Sequence, residues 1–417
     1  MDRFLIIADD FTGALDTGVQ FAKNGAKVLV SVNWDCDLSF SQSDAQVIVL
    51  DAETRHLSYK AAGSRIKTIT ERAAVAGIGR IMKKTDSALR GNVGAELTAL
   101  LEASERKILH FLPAFPEMGR TTENGIHYVG GIPVNESVFG RDPFEPVRRP
   151  DVAGIIHEQS KVDVRIISGK DAAKEEDEPI IAVYDAGTDE DIERCVAGLA
   201  EKDELFLMAG CAGLAKAVSR RLFGNSEEKT AGNTIGDLLV ICGSVNPVTV
   251  RQLDFAEKNG FRRIRLSPEQ KIDGGYFRGE EGRAKIGEWT ELCLEDGSII
   301  IDSNDMPGSA STLDTAVSRG LSKEELIENI TGNLGCITRE LLDRGLEKTL
   351  FITGGDTLLG FMREISADIL RPLGEIAPGT VISELEYKGE TYKVITKSGG
   401  FGQEDLLLNI RNIGTQD

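Results

Sequence analysis

Apolar residues fall in short, dense runs along most of this chain, and helical or polar pattern fills the gaps. Phe4–Ala8 is the first run, of a length suited to a strand buried on both faces. It stops at Asp9-Asp10. From Thr12-Gly13 the pattern changes to helical spacing, Ala14 to Lys23, and Asn24-Gly25 closes it, with Gly25 suited to the position just past a helix end. Val28–Val32 and Val47–Leu50 read as the next strands. Strand, helix and strand at such short separations predict βαβ units on a mostly parallel sheet. Arg80–Lys84 is a further strand, followed by the turn Thr85-Asp86-Ser87 and a helix through Gly94–Glu102. Ile108–Phe111, Ile180–Tyr184 and Leu205–Ala209 are later strands of the same half. Residues 118–150 are rich in Gly, Pro, Arg and Asn, and so long a connection is often functional.

Around Phe223–Asn233 the pattern turns polar, and a domain boundary is expected there. The chain has 417 residues, beyond the roughly 250–300 at which single cores stop growing. The expected division is residues 1–228 and 234–417, with Lys170–Pro179 only a short charged linker. The second half repeats the α/β pattern, with strands at Leu238–Cys242, Ile299–Asp302, Thr349–Thr353 and Tyr392–Lys397. The fold class is therefore α/β: two domains, each a mostly parallel sheet with flanking helices, and an active site expected in the interdomain cleft.

Charge narrows the partners. A formal net charge of -19 repels nucleic acid and anionic lipid, which leaves small molecules. An anionic substrate must then be held by locally placed Lys or Arg. The six cysteines are scattered without a CxxC pair and histidines number four, which argues against structural zinc and for a reduced, cytoplasmic setting. The N-terminus does not read as a signal peptide, and no apolar run approaches the ~20 residues that span a bilayer. A homodimer is the default assembly for such an enzyme.

Three places in the second half share one design: a strand ends, a glycine-bearing turn follows, and a helix begins. They are Cys242-Gly243-Ser244-Val245-Asn246-Pro247, Thr353-Gly354-Gly355-Asp356-Thr357 and Lys397-Ser398-Gly399-Gly400-Phe401-Gly402. Glycine lets the backbone approach a ligand closely, and the N–H groups of a helix start carry partial positive charge, so such turns cradle phosphate. Lys397 adds a full charge. Strand ends on a parallel sheet converge on one edge, which is why three turns count for more than one. The GxxxxGK[ST] fingerprint is missing, and Gly399-Gly400-Phe401-Gly402 does not fit GxGxxG.

In the first half, Asp9-Asp10 closes a strand, where carboxylates can hold hydroxyls, accept a proton or place Mg²⁺, or where one of them caps the next helix. Lys83-Lys84-Thr85-Asp86-Ser87-Ala88-Leu89-Arg90-Gly91-Asn92 places three cations in one strand-to-helix turn of an acidic chain. Arg90 suits a bidentate grip on a carboxylate, and Arg55, after another strand end, is a second clamp. His127 is read as a packed or exposed histidine more readily than as a general base.

Taken in order, Ala8-Asp9-Asp10-Phe11-Thr12-Gly13-Ala14, Lys83 to Asn92, the Gly119–Pro146 segment and the three glycine turns closely resemble the four-carbon acid sugar kinase family, over nearly the whole chain. The Arg55 segment and Lys84-Thr85-Asp86-Ser87-Ala88-Leu89-Arg90 resemble its D-threonate and D-erythronate kinase branch, with Ala88 where many members carry Thr. The resemblance implies an N-terminal sugar-acid-binding domain, a C-terminal nucleotide-binding domain, and transfer of phosphate from ATP, with Mg²⁺, to the terminal hydroxyl of a tetronate. It implies that Asp10, Arg55 and Lys84, Thr85, Asp86 and Ser87 bind the acid; the residues themselves add Asp9 and Arg90 to that set, with Asp10 expected to accept or orient the hydroxyl proton. Ser244, Gly354, Gly355, Asp356, Thr357, Gly399, Gly400, Phe401 and Gly402, with Lys397, are the corresponding ATP residues. Two other classes stay open on the residues alone: a nicotinamide-dependent oxidoreductase on hydroxy acids, and a non-catalytic sensor of nucleotide and sugar acid. The metal ligands and the tetronate stereoisomer are not readable from the chain.

Overall fold

A computed structural model describes residues 3–40, 43–142, 145–168, 178–224, 235–295, 297–306, 308–397 and 400–413. The chain divides into two units, residues 1–228 and 229–417.

In the first unit, β1 (Phe4–Ala8) leads into α1 (Phe11–Lys23), then β2 (Val28–Ser31), β3 (Val47–Asp51), α2 (Tyr59–Val75), β4 (Arg80–Lys84), α3 (Val93–Ala103) and β5 (Ile108–Leu112). A small antiparallel sheet follows, β6 (Arg120–Glu123), β7 (Ile126–Val129) and β8 (Ile132–Pro133). Then come α4 (Val152–His157), β9 (Asp163–Ile167), β10 (Ile180–Tyr184), α5 (Asp189–Glu201), β11 (Leu207–Gly210) and α6 (Ala212–Phe223). The main strands lie in the order β2-β3-β1-β4-β11-β5-β10-β9, and every pairing is parallel. β1 and β3 are buried along their whole length, which is why both are continuous apolar runs without alternation. Leu5, Ile7, Ile48 and Leu50 pack with Ile66 and Ile69 of α2 and with Leu97 and Leu100 of α3 in one core.

The order has a functional consequence. From β1 the chain runs past one neighbouring place to β2, returns to fill that place with β3, and then crosses β1 to β4 on its other side, so β1 sits where the winding reverses. Ligands of open α/β sheets bind at the carboxyl ends of strands at such a switch point. In register, Ala8 stands beside both Asp51 and Lys84. The segments that leave β1, β3 and β4 therefore start side by side.

The second unit runs β12 (Leu238–Cys242), α7 (Pro247–Lys258), β13 (Arg262–Arg265), α8 (Pro268–Ile272), α9 (Glu280–Glu295), β14 (Ile299–Asp302), α10 (Thr312–Ser318), α11 (Lys323–Asp343), β15 (Thr349–Thr353), α12 (Gly355–Glu364), β16 (Ile369–Ala377), β17 (Thr380–Tyr387), β18 (Glu390–Lys397) and α13 (Leu406–Arg411). The strand order is β13-β14-β12-β15-β18-β17-β16, parallel as far as β18 and antiparallel beyond it. Val240, Ile300, Phe351 and Ile395, one from each of four neighbouring strands, centre the core. Among the described residues no helix is long and apolar enough to cross a membrane.

Candidate active site

At the switch point of the first unit, the three segments that leave β1, β3 and β4 bring charged side chains together. Asp10 caps α1: its backbone is extended (φ -146°), and its Oδ1 accepts the Gly13 amide at 3.0 Å. The same carboxylate accepts Arg55 Nη1 on Oδ2 at 2.7 Å. Capping and functional readings of Asp10 thus describe one side chain. Arg55 bridges the acidic pair, since its Nε donates to Asp9 Oδ2 at 2.8 Å. Asp86 Oδ1 lies 3.7 Å from Arg55 Nη2, and Lys84 Nζ lies 3.9 Å from Asp9 Oδ1. Gly13 makes room for this. A Cβ there would stand 2.5 Å from Asp10 Oδ1 and 2.6 Å from Lys84 Nζ. The ammonium therefore rests against the first turn of α1.

The cluster is buried, so its charges decide one another. Burial opposes the Asp9 carboxylate, but Arg55, Lys84 and Lys83 outweigh it and hold the group below its ordinary value. Asp86 is held well below the carboxylate range against burial by Arg55 and Arg90. Burial likewise opposes the Lys84 ammonium, and Asp9 and Asp10 reverse the effect. Asp51, at the end of β3, differs: burial pushes its carboxyl well up. Two buried oxygens of these strand ends, Asp9 Oδ1 and Thr85 Oγ1, have no hydrogen-bond partner. Unpaired buried polar atoms are destabilising, and a hydroxylated ligand would satisfy them.

The turn after β4 is fastened from outside. Arg90 grips Asp86 with two bonds of 2.9 Å and reaches Asp142 Oδ2 at 3.1 Å. Asn92 donates to the carbonyls of Thr54 at 2.7 Å and Leu57 at 2.9 Å, tying this turn to the Arg55 segment. His127 on β7 is buried, and burial lowers it to about 4. Its Nε2 lies 2.9 Å from the Ser87 carbonyl, so that nitrogen carries the proton, and Nδ1 accepts from Thr122 Oγ1 at 3.1 Å. A neutral histidine committed to a main-chain carbonyl holds the turn in place and is the packed residue expected.

In the second unit, Cys242, Thr353 and Lys397 are in register on β12, β15 and β18, so the three glycine turns leave neighbouring parallel strands side by side. They touch. Gly243 abuts Thr357, and an ideal Cβ on Gly354 would lie 3.6 Å from the Ser244 amide and 2.9 Å from Thr357 Oγ1. Gly354 also has φ 106°, a conformation that side chains strain to adopt. No side chain caps α12, which leaves its first amides to a ligand, and Thr353 Oγ1 beside them is buried without a partner. This combination suits a phosphate group. Lys397 is buried and donates to Thr249 Oγ1 at 3.1 Å and the Phe401 carbonyl at 3.2 Å, and burial lowers it to about 8. Gly402 follows in the same turn, Gly355 and Asp356 form the first turn of α12, and Gly399 lies outside the described residues. Asp142, which meets Arg90, and Asn304, whose Nδ2 donates to the Ser244 carbonyl at 3.1 Å, were not singled out from sequence. Each acts across a separation of 50 residues or more, which leaves no local signal.

Two family models match this chain. One, a sugar-binding N-terminal domain, covers residues 4–218, and the other, a nucleotide-binding C-terminal domain, covers residues 239–407. The D-threonate kinase of Salmonella typhimurium is 30% identical over 98% of this chain and 97% of its own length. The 3-oxo-tetronate kinase of Methylobacterium radiotolerans is 26% identical over 96% of each chain. The crystal structure of a Haemophilus influenzae protein superposes with a TM-score of 0.76 at 21% identity, covering 99% of this chain and 100% of that one, which shows a shared fold. Matched in both halves and along nearly its full length, this chain belongs to the four-carbon acid sugar kinase family, in its D-threonate and D-erythronate kinase-like branch.

Proposed function

We propose that this protein is an ATP-dependent kinase that phosphorylates the 4-hydroxyl of a four-carbon sugar acid, D-threonate or D-erythronate. The observation that supports it most is the buried cluster of Asp9, Asp10, Arg55, Lys84 and Asp86 at the switch point, where Asp9 Oδ1 and Thr85 Oγ1 lack hydrogen-bond partners. A polyhydroxylated anion matches it: a carboxylate for the cations, and hydroxyls for Asp9 Oδ1 and Thr85 Oγ1. Lys84 and Arg55 take the carboxylate. Arg90 fixes Asp86, and Ser87 borders the hydroxyls. Asp10, the more exposed of the two aspartates, orients the 4-hydroxyl and accepts its proton. The phosphates of ATP lie along Ser244, Gly354–Thr357 and Gly400–Gly402, with Lys397 supplying charge.

Phosphoryl transfer needs chiefly positioning and charge neutralisation. Mg²⁺, when bound, supplies that neutralisation. Among the described residues no group of three or more acidic, His or Cys side chains stands ready to hold a metal. That fits an ion carried on the phosphates of ATP with one or two carboxylates beside it. Relatives acting on D-threonate and on 3-oxo-tetronate align over similar lengths, so the substrate must be found by assay. The test is ADP release with ATP and Mg²⁺ over D-threonate, D-erythronate, L-threonate, 3-oxo-tetronate and 4-hydroxythreonine. Strong turnover of one D-tetronate is expected. Silence across the panel, with ATP binding still measurable, would overturn the substrate assignment. Turnover tied to nicotinamide absorbance would replace the reaction.

A further inference from the structure

Beside the glycine turns of the second unit, a polar segment made of residues given no role above leads back to Ser244. Asp302 ends β14, next to Cys242 in register. Its Oδ2 accepts Nε and Nη2 of Arg263 at 3.0 and 2.5 Å. Its Oδ1 accepts the Asn304 amide at 2.9 Å and Asn304 Nδ2 at 2.7 Å. Both oxygens are engaged, so Asp302 is not offered to a ribose or a metal. Asn304 Nδ2 then donates to the Ser244 carbonyl at 3.1 Å. On the far side Lys271, 1% exposed, donates to the Ser303 carbonyl at 3.2 Å and pairs with Asp305. The Ser303 amide donates to the Cys242 carbonyl at 3.0 Å.

Two buried cations on β13 and α8 thus clamp residues 302–305 from both ends, and the clamped segment presents one amide to one carbonyl. Fixing a peptide carbonyl fixes the plane of its peptide, and with it the course of the Ser244 turn against Gly354. Unpaired, a buried Arg and Lys would be strongly destabilising, so the arrangement has little freedom to relax.

We infer that Asn304 is a positioning residue for the nucleotide: held by Asp302 and the Arg263 and Lys271 clamp, it sets the Ser244 turn in the orientation that receives phosphate. This rests on the nucleotide site proposed above. Both hydrogens of its amide nitrogen are engaged on Asp302 and Ser244, so that nitrogen acts through Ser244.

The test is direct titration of ATP on the full chain, together with steady-state kinetics, for Asn304→Ala and Asn304→Asp. Asn304→Ala removes one hydrogen bond to the turn, and ATP Kd should rise about 3- to 10-fold. Asn304→Asp keeps the volume and faces Ser244 and Asp302 with a carboxylate, so the loss should be about tenfold or more. The sugar-acid KM and the thermal midpoint should stay near wild type in Asn304→Ala. Wild-type ATP affinity in both variants would overturn the inference. So would an equal rise in ATP Kd and sugar-acid KM, because that would mark general loosening. A wild-type chain that binds no ATP would instead sink the nucleotide reading, and this inference with it.

Discussion

The two sites proposed for anions in this acidic chain are built of different materials. In the first unit the grip is made of side chains. Arg55, Lys84 and Arg90 each already lie against a carboxylate, so a ligand must join a charge network that is complete in outline. In the second unit the grip is made of main chain: glycine turns, the uncapped start of α12, and one buried lysine. A side-chain site is altered by removing a charge and leaving its partner buried. A main-chain site is altered by adding atoms where the ligand must approach.

The widest separation between the two sites should come from Asp10→Asn. The change preserves shape and the capping oxygen but removes the proton acceptor. Turnover should fall by about 10²- to 10⁴-fold, the usual contribution of a general base. ATP affinity, measured by titration, should not move. If turnover is unchanged, Asp10 loses the base role. If ATP affinity falls as well, the two sites are not independent.

Gly400→Val is the matching change in the second unit. The nearest atom to a Cβ there is Asn246 Nδ2 at 3.9 Å, so the fold accepts the side chain. Gly354 is a poorer choice, because its positive φ would add strain of its own. ATP Kd should rise by about tenfold or more, with sugar-acid KM unchanged, as expected when a phosphate is pushed from close backbone contact. Normal ATP affinity would mean that the phosphates lie elsewhere.

Legibility followed the same division. β1, β10 and β12 were readable because strands buried on both faces are unbroken apolar runs. β9 and β13 were not. They are edge strands with exposed or half-exposed faces, and Arg262–Arg265 reads as polar loop. Residues 118–150 read as loop because Gly, Asn and Pro mark turns equally well in a small antiparallel sheet. The charged residues of the first site were legible as types, at strand ends where chemistry collects. Their partners were not, since Arg90 meets Asp142 across 52 residues and His127 reaches the Ser87 main-chain carbonyl across 40. In the second unit the glycines were legible as punctuation. That the three turns touch required the register of β12, β15 and β18.

Arg90→Ala should have a smaller effect confined to the first unit. It leaves Asp86 with Arg55 at 3.7 Å as its remaining arginine partner and frees the turn after β4. Sugar-acid KM should rise about tenfold, the scale of one charge-assisted interaction, with ATP affinity intact. An unchanged KM would mean that Arg55 and the Asn92 bonds hold the turn without it.

The finest contrast is in pH, because every histidine lies in the first unit: His56, His110, His127 and His157. Burial lowers His110 and His127 to about 4 from 6.5. Between those values the unfolded chain takes up protons that the folded chain does not, so their contribution makes stability fall as pH falls, by up to about 1.4 kcal/mol per pH unit for each. Asp51 and Glu96, raised by burial, act in the opposite sense, so the histidine part is isolated by comparison with His127→Gln. That variant should lose about 1.4 kcal/mol less per pH unit than wild type over this window. In the second unit Lys397 is lowered from 10.5 to about 8. There the unfolded chain keeps a proton that the folded chain has released, so stability should rise as pH is raised from about 8 to 10.5. Each unit has one tryptophan, Trp34 and Trp289, so Trp34→Phe and Trp289→Phe leave one fluorescent reporter apiece for denaturant titrations. With the Trp289→Phe background, an identical slope for wild type and His127→Gln between pH 6.5 and 4.5 would show that burial does not hold His127 neutral. With the Trp34→Phe background, a flat response above pH 8 would show that Lys397 keeps its charge in the fold, and the second site would then hold a permanent cation beside its glycine turns.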